Sequence, residues 1–334
     1  MIPAQSKNKL PVVLIAGASP DRINRNAVMR IHVREGFAQI LGEANAFQCS
    51  LDAAAETIRR VRPDLVVCFG SCMPDSANYG PLRDLCDAMG AGLAFWLHDD
   101  PYEFDFGFRA EEFADWIFSN DRWATLHYSH PRSFHLPMAG SPQAHQLPWR
   151  KDKDTDVFFC GVAFANRIQI IRDLEPALRA VRARILGDQW PSDLPLARNQ
   201  RLSNAELAHG YAGAWVTINM GRSLHLANTR YQLDPSTPGP RTFEAALAGT
   251  VQMYFADGLE ICEYFEPDRE ILLFDGPDDF ERQLNALLAD PMRARDIAEA
   301  ARTRALRDHT WRNRANDLLR HCGMPAPQAQ EAAA

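Results

Sequence analysis

The sequence predicts an α/β protein of two doubly wound, Rossmann-like domains facing each other across a cleft. Three observations carry this expectation. Short, continuously apolar runs alternate with amphipathic segments, the pattern of parallel strands covered by helices on both faces. A polar stretch at 141–156, SPQAHQLPWRKDKDTD, interrupts the alternation near the middle and reads as a linker. The length of 334 residues suits two domains of about 150 residues each.

In the first half, the run 12–17 (VVLIAG) is a strand and 27–41 an amphipathic helix. A helix at 53–61 and the turn at Arg62 and Pro63 lead to a strand at 64–69. A helix at 81–89 precedes a strand at 91–97, and short strands at 116–118 and 133–137 complete this half. The second half repeats the scheme. Its strands are 157–160, 184–186, 215–218, 251–255 and 271–274, with helices between them. The end is helical, at 278–288, 292–307 and 311–322. The domains are therefore placed at 1–145 and 146–310, and the Ala-, Gln- and Pro-rich tail 323–334 is expected to be disordered.

Hydrophobic residues make up 46% and charged residues 24%, ordinary values for a soluble globular chain. The net charge of −7 speaks against nucleic acid as a partner, which needs a basic footprint. Seven cysteines in mostly apolar settings fit reduced thiols in the cytoplasm better than a disulfide framework. No signal peptide is visible, and the apolar run 12–18 is too short for a transmembrane segment.

The most informative stretch is 238–255, PGPRTFEAALAGTVQMYF: a Gly/Pro loop, a short helix, a glycine stop and a buried strand. A helix start offers unpaired N–H groups and positive dipole character, which suit a phosphate. Arg241 and Thr242 stand at that start. Glu244, about one turn in, can accept two hydrogen bonds from the vicinal hydroxyls of a ribose. Together they describe half of a nucleotide-sugar pocket.

Other strand ends carry candidates. In WLHDDPYEF a strand runs directly into His98, Asp99 and Asp100, where an α/β sheet displays functional side chains. His98 can donate to a sugar hydroxyl. One aspartate can act as general base or orient the histidine, or the pair can cap the following turn. In CGVAFANR, Gly161 allows close backbone approach and Arg167 can pair with a diphosphate. In LGDQW, Gly187 and Trp190 can wall a base pocket, although a core tryptophan is the commoner fate. Asn219 and Arg222, in INMGR, can reach donor phosphate or sugar. Gly17 opens no GxGxxG, and no P-loop or GxSxG is present. The Asp152-Lys-Asp154 triplet reads as solvated linker charge, so no metal and no cofactor are expected.

The run RTFEAALAG at 241–249, with GLEICEYFEPDRE at 258–270 and HTWRNR at 309–314, resembles the CgeB-like family of GT-B fold glycosyltransferases. FFCGVAFANR, ILGDQW, HDDP and FSND at 118–121 are similar to further elements of that family. The resemblance implies a nucleotide-diphosphate-sugar donor of UDP or GDP type on the C-terminal domain and an acceptor on the N-terminal one. It implies a final helix, 311–322, that crosses back to the N-terminal domain, and a donor-sugar contact for His98. It matches Glu244 to the second glutamate of a Glu-x7-Glu pair. The first position is Ser236 here, so Arg241 takes the anion role. The activity expected is metal-independent sugar transfer to an acceptor hydroxyl. Alternatives are a nucleotide-sugar epimerase or hydrolase on the same fold, and a non-catalytic nucleotide-binding scaffold.

Overall fold

The structure, a computed structural model, describes residues 9–23, 27–73, 79–224 and 226–325. The described residues form two compact units. The first runs to Pro137 and also takes in residues of 226–235 and the chain from Trp311 onward; the second is Met138–Leu224 with Ser236–Thr310. The expected tail lies outside the described residues from 326 on.

In the first unit the elements follow as β1 (Val13–Gly17), α1 (Ala27–Leu41), β2 (Ala46–Cys49), α2 (Ala54–Val61), β3 (Leu65–Gly70), α3 (Gly80–Met89) and β4 (Gly92–Leu97). Then come α4 (Phe108–Glu111), β5 (Trp116–Ser119), α5 (Arg122–Thr125) and β6 (Ser133–His135). The six strands are all parallel, in the order β2-β1-β3-β4-β5-β6. Every residue of β1 and β3 is buried, which is why these strands read as unbroken apolar runs rather than as alternating ones.

The second unit comprises α6 (Pro142–His145), β7 (Thr155–Val162), α7 (Ala165–Asp173), α8 (Glu175–Arg179), β8 (Ala183–Asp188), β9 (Ala197–Arg198), α9 (Asn204–Ala212) and β10 (Ala214–Asn219). It continues with α10 (Pro240–Ala248), β11 (Val251–Phe255), α11 (Ile261–Tyr264), β12 (Leu272–Phe274), α12 (Pro277–Ala289) and α13 (Pro291–Asp308). The sheet order is β12-β11-β10-β7-β8-β9, again all parallel. The chain starts at the centre on β7, winds outward through β8 and β9, and then crosses to β10 on the other side. This is the order of a classical dinucleotide-binding sheet, and the reversal between β7 and β10 opens a crevice at their carboxyl ends.

Several features depart from the expectation. The strands β2 and β9 are too short and too mixed in polarity to stand out in sequence. The stretch 141–156 is solvated only in part, at Arg150, Lys151, Asp152 and Asp154, and the unit boundary falls at Pro137 and Met138. Ser141 and His145 are buried on α6, and Lys153 is buried with its Nζ donating to the Ala212 carbonyl at 2.8 Å. The Lys153 ammonium also lies 4.0 Å from the centre of the Trp149 ring. Polar composition imitates a linker here, but each of these groups has found a partner, which is what allows its burial. Residues 226–235 belong to the first unit, where Ala227 exchanges main-chain hydrogen bonds of 2.8 Å with Tyr102 and Asp105. Leu233 joins the apolar core of that unit.

The last helix, α14 (Trp311–His321), packs on α1 in the first unit. The close crossing requires Gly36, where a Cβ would fall 2.4 Å from the Trp311 carbonyl oxygen. Trp311 then meets Trp96 and Phe69 edge to face, with ring centres 5.7 and 6.2 Å away.

In the second sheet, Gly187 has a φ of +148° and a Cβ there would lie 1.7 Å from the Gly161 carbonyl oxygen. Neither a side chain nor the backbone angle is tolerated. Gly187→Ala is therefore expected to destabilise the protein by about 2 kcal/mol or more, read as a lower urea midpoint at unchanged slope. A wild-type midpoint would show that β7 and β8 part freely at this point.

Candidate active site

The carboxyl ends of β7 and β10 and the start of α10 bring most of the donor-side candidates together. Arg167, on the first turn of α7, donates from Nε to the Gly221 carbonyl at 3.0 Å, and from Nη1 and Nη2 to the Val162 and Met220 carbonyls at 3.2 and 3.3 Å. Its guanidinium thus ties the end of β7 to the loop after β10, directly across the reversal in strand order. The adjacent Asn166 holds the same loop, accepting from the Ser223 N–H at 3.0 Å. Gly161 leaves room for this arginine, since a Cβ there would come within 3.0 Å of Nη1. The Arg222 guanidinium lies 5.8 Å from the centre of the Phe164 ring, at the same end.

Asn219, the last residue of β10, donates through Nδ2 to Thr242 Oγ1 at 2.7 Å and to Gln252 Oε1 at 2.9 Å. It therefore fixes the first turn of α10 against β10 and β11. Gln252 is fully buried inside β11. Sequence reasoning passed over it, although a glutamine within an apolar run (VQMYF) is itself a signal of a polar network. The caps of α10 and α7, Gly239 and Phe164, supply no side-chain acceptor; Pro240 brings no N–H and the Thr242 N–H bonds the Gly239 carbonyl at 3.1 Å, which leaves the Arg241 N–H of α10 and the first turn of α7 to face an anion.

Glu244 is buried on α10. One carboxylate oxygen pairs with the half-exposed Arg241 three residues earlier, and the other lies 3.8 Å from His145 Nε2. His145 was hidden in the polar stretch that reads as a linker, and nothing in its local sequence announces it. Trp190 is not placed as a pocket wall. It is buried in the core of the second unit, with its ring 6.0 Å from that of Phe159 and its Nε1 donating to the Leu186 carbonyl at 3.3 Å. Gly187 meets the Gly161 backbone. The Asp152 and Asp154 pair stands at the amino end of β7, the opposite edge of the sheet from the strand ends that carry the candidates.

On the first unit the three residues after β4 diverge. His98 Nδ1 lies 3.0 Å from Asp99 Oδ2, an arrangement that orients the ring. Asp100 turns into the core, where its Oδ2 accepts from Ser119 Oγ at 2.6 Å and from the Tyr128 hydroxyl at 2.8 Å. Asp100 thus fastens the loop after β4 to β5 and to the segment beyond α5, and is placed to position its neighbours. Burial pushes its carboxyl up to about 7 from the ordinary 3.8, although both hydroxyls favour the charged form. A carboxyl raised in the folded state stabilises that state fully at about pH 4 and below, and the contribution is lost as pH rises through about 7. Asp100→Asn keeps an oxygen acceptor and removes the titration. Its thermal midpoint is expected to fall less than that of the wild type between about pH 4 and 8; parallel profiles would exclude this account.

Residues 167–320 match the family described as glycosyl transferase-like. No curated protein matches the chain in sequence. Among solved structures, HepE of Anabaena in complex with UDP and glucose is similar at 10% identity and a TM-score of 0.61, over 94% of this chain and 99% of that one. A DNA-modifying β-glucosyltransferase is similar at 10% identity and a TM-score of 0.59, over 94% and 99% of the two chains. Sucrose-phosphate synthase of Thermosynechococcus elongatus follows at 13% identity and a TM-score of 0.56, over 93% and 98%. Residues 167–320 are thus similar to a glycosyl transferase-like family, in a chain with the GT-B fold of two Rossmann-like sheets.

Proposed function

We propose that the protein is a glycosyltransferase that moves a sugar from a UDP- or GDP-sugar to an acceptor hydroxyl without a divalent cation, as a cytoplasmic protein related to the CgeB-like group. One observation carries the proposal: the first turn of α10, capped by no side chain, stands one turn ahead of a carboxylate secured by Arg241. In this assignment Glu244 accepts the ribose hydroxyls. The Arg241 side chain, its N–H and the first-turn N–H groups of α7 hold the diphosphate. Arg167, whose donors serve three main-chain carbonyls, positions the β7 and β10 ends rather than gripping phosphate itself.

The acceptor oxygen would form a bond to the anomeric carbon while the bond from that carbon to the diphosphate breaks. The electron pair leaves on the diphosphate, where Arg241 and the two helix starts stabilise it. The acceptor proton passes to Asp99, the aspartate left for the role of general base, with His98 as the sugar contact; Asp100 keeps their loop in place. HepE, solved with UDP and glucose, favours UDP as the first nucleotide to try. The placement of Asp152 and Asp154 at the far sheet edge supports charge stabilisation by side-chain cations and helix dipoles instead of a metal. The seven free thiols fit a reducing compartment.

The test is a thermal-shift panel with UDP, GDP and UDP-glucose. A nucleotide at a hundredfold excess over its dissociation constant adds about 2.7 kcal/mol to stability. UDP or GDP is expected to raise the midpoint, and Glu244→Gln to remove most of that gain. Donor turnover without acceptor would favour a hydrolase or epimerase, and no shift with any nucleotide would overturn the proposal.

A further inference from the structure

Gln252 is a polar group that stability alone does not explain. It is fully buried in β11, between Val251 and Met253 in an otherwise apolar strand. Side chains alternate along a strand. Val251 and Met253 enter the core on one face of the sheet, while Tyr254, on the same face as Gln252, packs with Phe243 and Leu247 of α10. Gln252 therefore lies on the side that α10 covers. A methionine of similar length would fill that place with no polar atom to satisfy.

The amide is satisfied at one end only. Its Oε1 accepts from Asn219 Nδ2 at 2.9 Å. Its Nε2, closed to solvent, has no hydrogen-bond partner among the described residues. Neighbouring buried hydroxyls are paired: Thr217, opposite Gln252 on β10, donates to the Phe158 carbonyl at 2.9 Å, and Thr250 donates to the Ala214 carbonyl at 3.3 Å. A buried N–H group left unpaired destabilises the fold. A residue that breaks the packing rule at such a cost is expected where function requires it.

What the Gln252 oxygen holds is the start of α10. Asn219 Nδ2 is shared between Gln252 Oε1 and Thr242 Oγ1, the latter at 2.7 Å. The last torsion of an asparagine is broad, so the acceptor on β11 decides where its N–H groups point. Thr242 follows Arg241 directly and precedes Glu244 on the same helix. We infer, on the assignment of the donor to α10 proposed above, that Gln252 is a positioning residue for the nucleoside diphosphate. It acts through Asn219 and Thr242 to set the direction of the first turn of α10, and with it the places of Arg241 and Glu244. The strand gives up stability at Gln252 for that direction.

The experiment is calorimetric titration of the full chain with UDP and with GDP, beside thermal midpoints of the unliganded proteins. Gln252→Met keeps the length of the side chain and removes both polar ends. Its midpoint is expected at or above that of the wild type. Its dissociation constant, for whichever nucleotide the wild type binds, is expected to rise about tenfold, the scale of one lost hydrogen bond. Asn219→Ala is expected to weaken binding at least as much, and the double variant no more than Asn219→Ala alone, because the two residues act in series. Wild-type affinity in Gln252→Met would overturn the role of Gln252 and leave the donor assignment standing. A midpoint well below that of the wild type would also overturn it, since the amide would then support the sheet itself. So would additive losses in the double variant, which exclude the route through Asn219. A wild type that binds neither nucleotide would overturn the donor assignment, and the role of Gln252 with it.

Discussion

The reversal of strand order in the second sheet leaves the ends of β7 and β10 with carbonyls that the sheet cannot pair, and Arg167 answers this need. Its guanidinium bonds carbonyls on both sides of the reversal, which a planar, permanently charged fork with several donors can do and a lysine cannot. The loop it fixes, 220–223, follows Asn219, and Asn219 in turn orients Thr242 at the start of α10. The direction in which that helix starts therefore depends on a cation at the end of the neighbouring strand, β7. An arginine near a helix start is unfavourable for the dipole. Its retention there is explained by the carbonyls it satisfies, and no phosphate is needed to account for it.

The same logic separates neighbours in the first unit. His98, Asp99 and Asp100 are consecutive, yet in the turn that follows β4 their side chains take different partners. Asp99 meets the His98 ring and Asp100 enters the core. The buried carboxyl is tolerable because two hydroxyls donate to it and because its raised pKa lets it shed charge. A single acidic pair thus contains one group that can work on a substrate and one that holds the loop.

Much of the fold was legible because its strands are buried on both faces. β1, β3 and β4 are uninterrupted apolar runs, and helices α2, α3 and α14 carry clear amphipathic patterns, so their positions follow from the spacing of apolar residues. β2 and β9 did not stand out because edge strands need neither continuous apolarity nor length. The start of α10 was legible as chemistry, since glycine, proline, arginine and glutamate at that spacing have few other uses. What surrounds Glu244 was not. His145 reaches it from a stretch whose polarity suggested solvent, and only tertiary packing of α6 against α10 reveals it. Trp190 shows the converse: an aromatic at a strand end proved to be core, as its size and apolarity favour.

The chain also passes between the two units more often than a two-domain reading of the sequence suggests, at Pro137, around 225–235 and at Thr310. Each passage leaves something buried. Leu233 enters the core of the first unit from a segment between β10 and α10, and Trp311, Leu318 and Leu319 are buried on α14 from the far end of the chain. A core that needs these side chains is incomplete when only the first 137 residues exist. Contacts so distant in sequence are formed late, because loop closure must precede the packing that rewards it. The first unit is thus continuous with the rest of the chain in folding, and the segments that complete it, 226–235 and the last helix from Trp311, fall within the stretch 167–320 that matches the glycosyl transferase-like family. Stability of the His98 loop, to which 226–235 is bonded through Tyr102 and Asp105, is accordingly tied to residues that lead directly into α10.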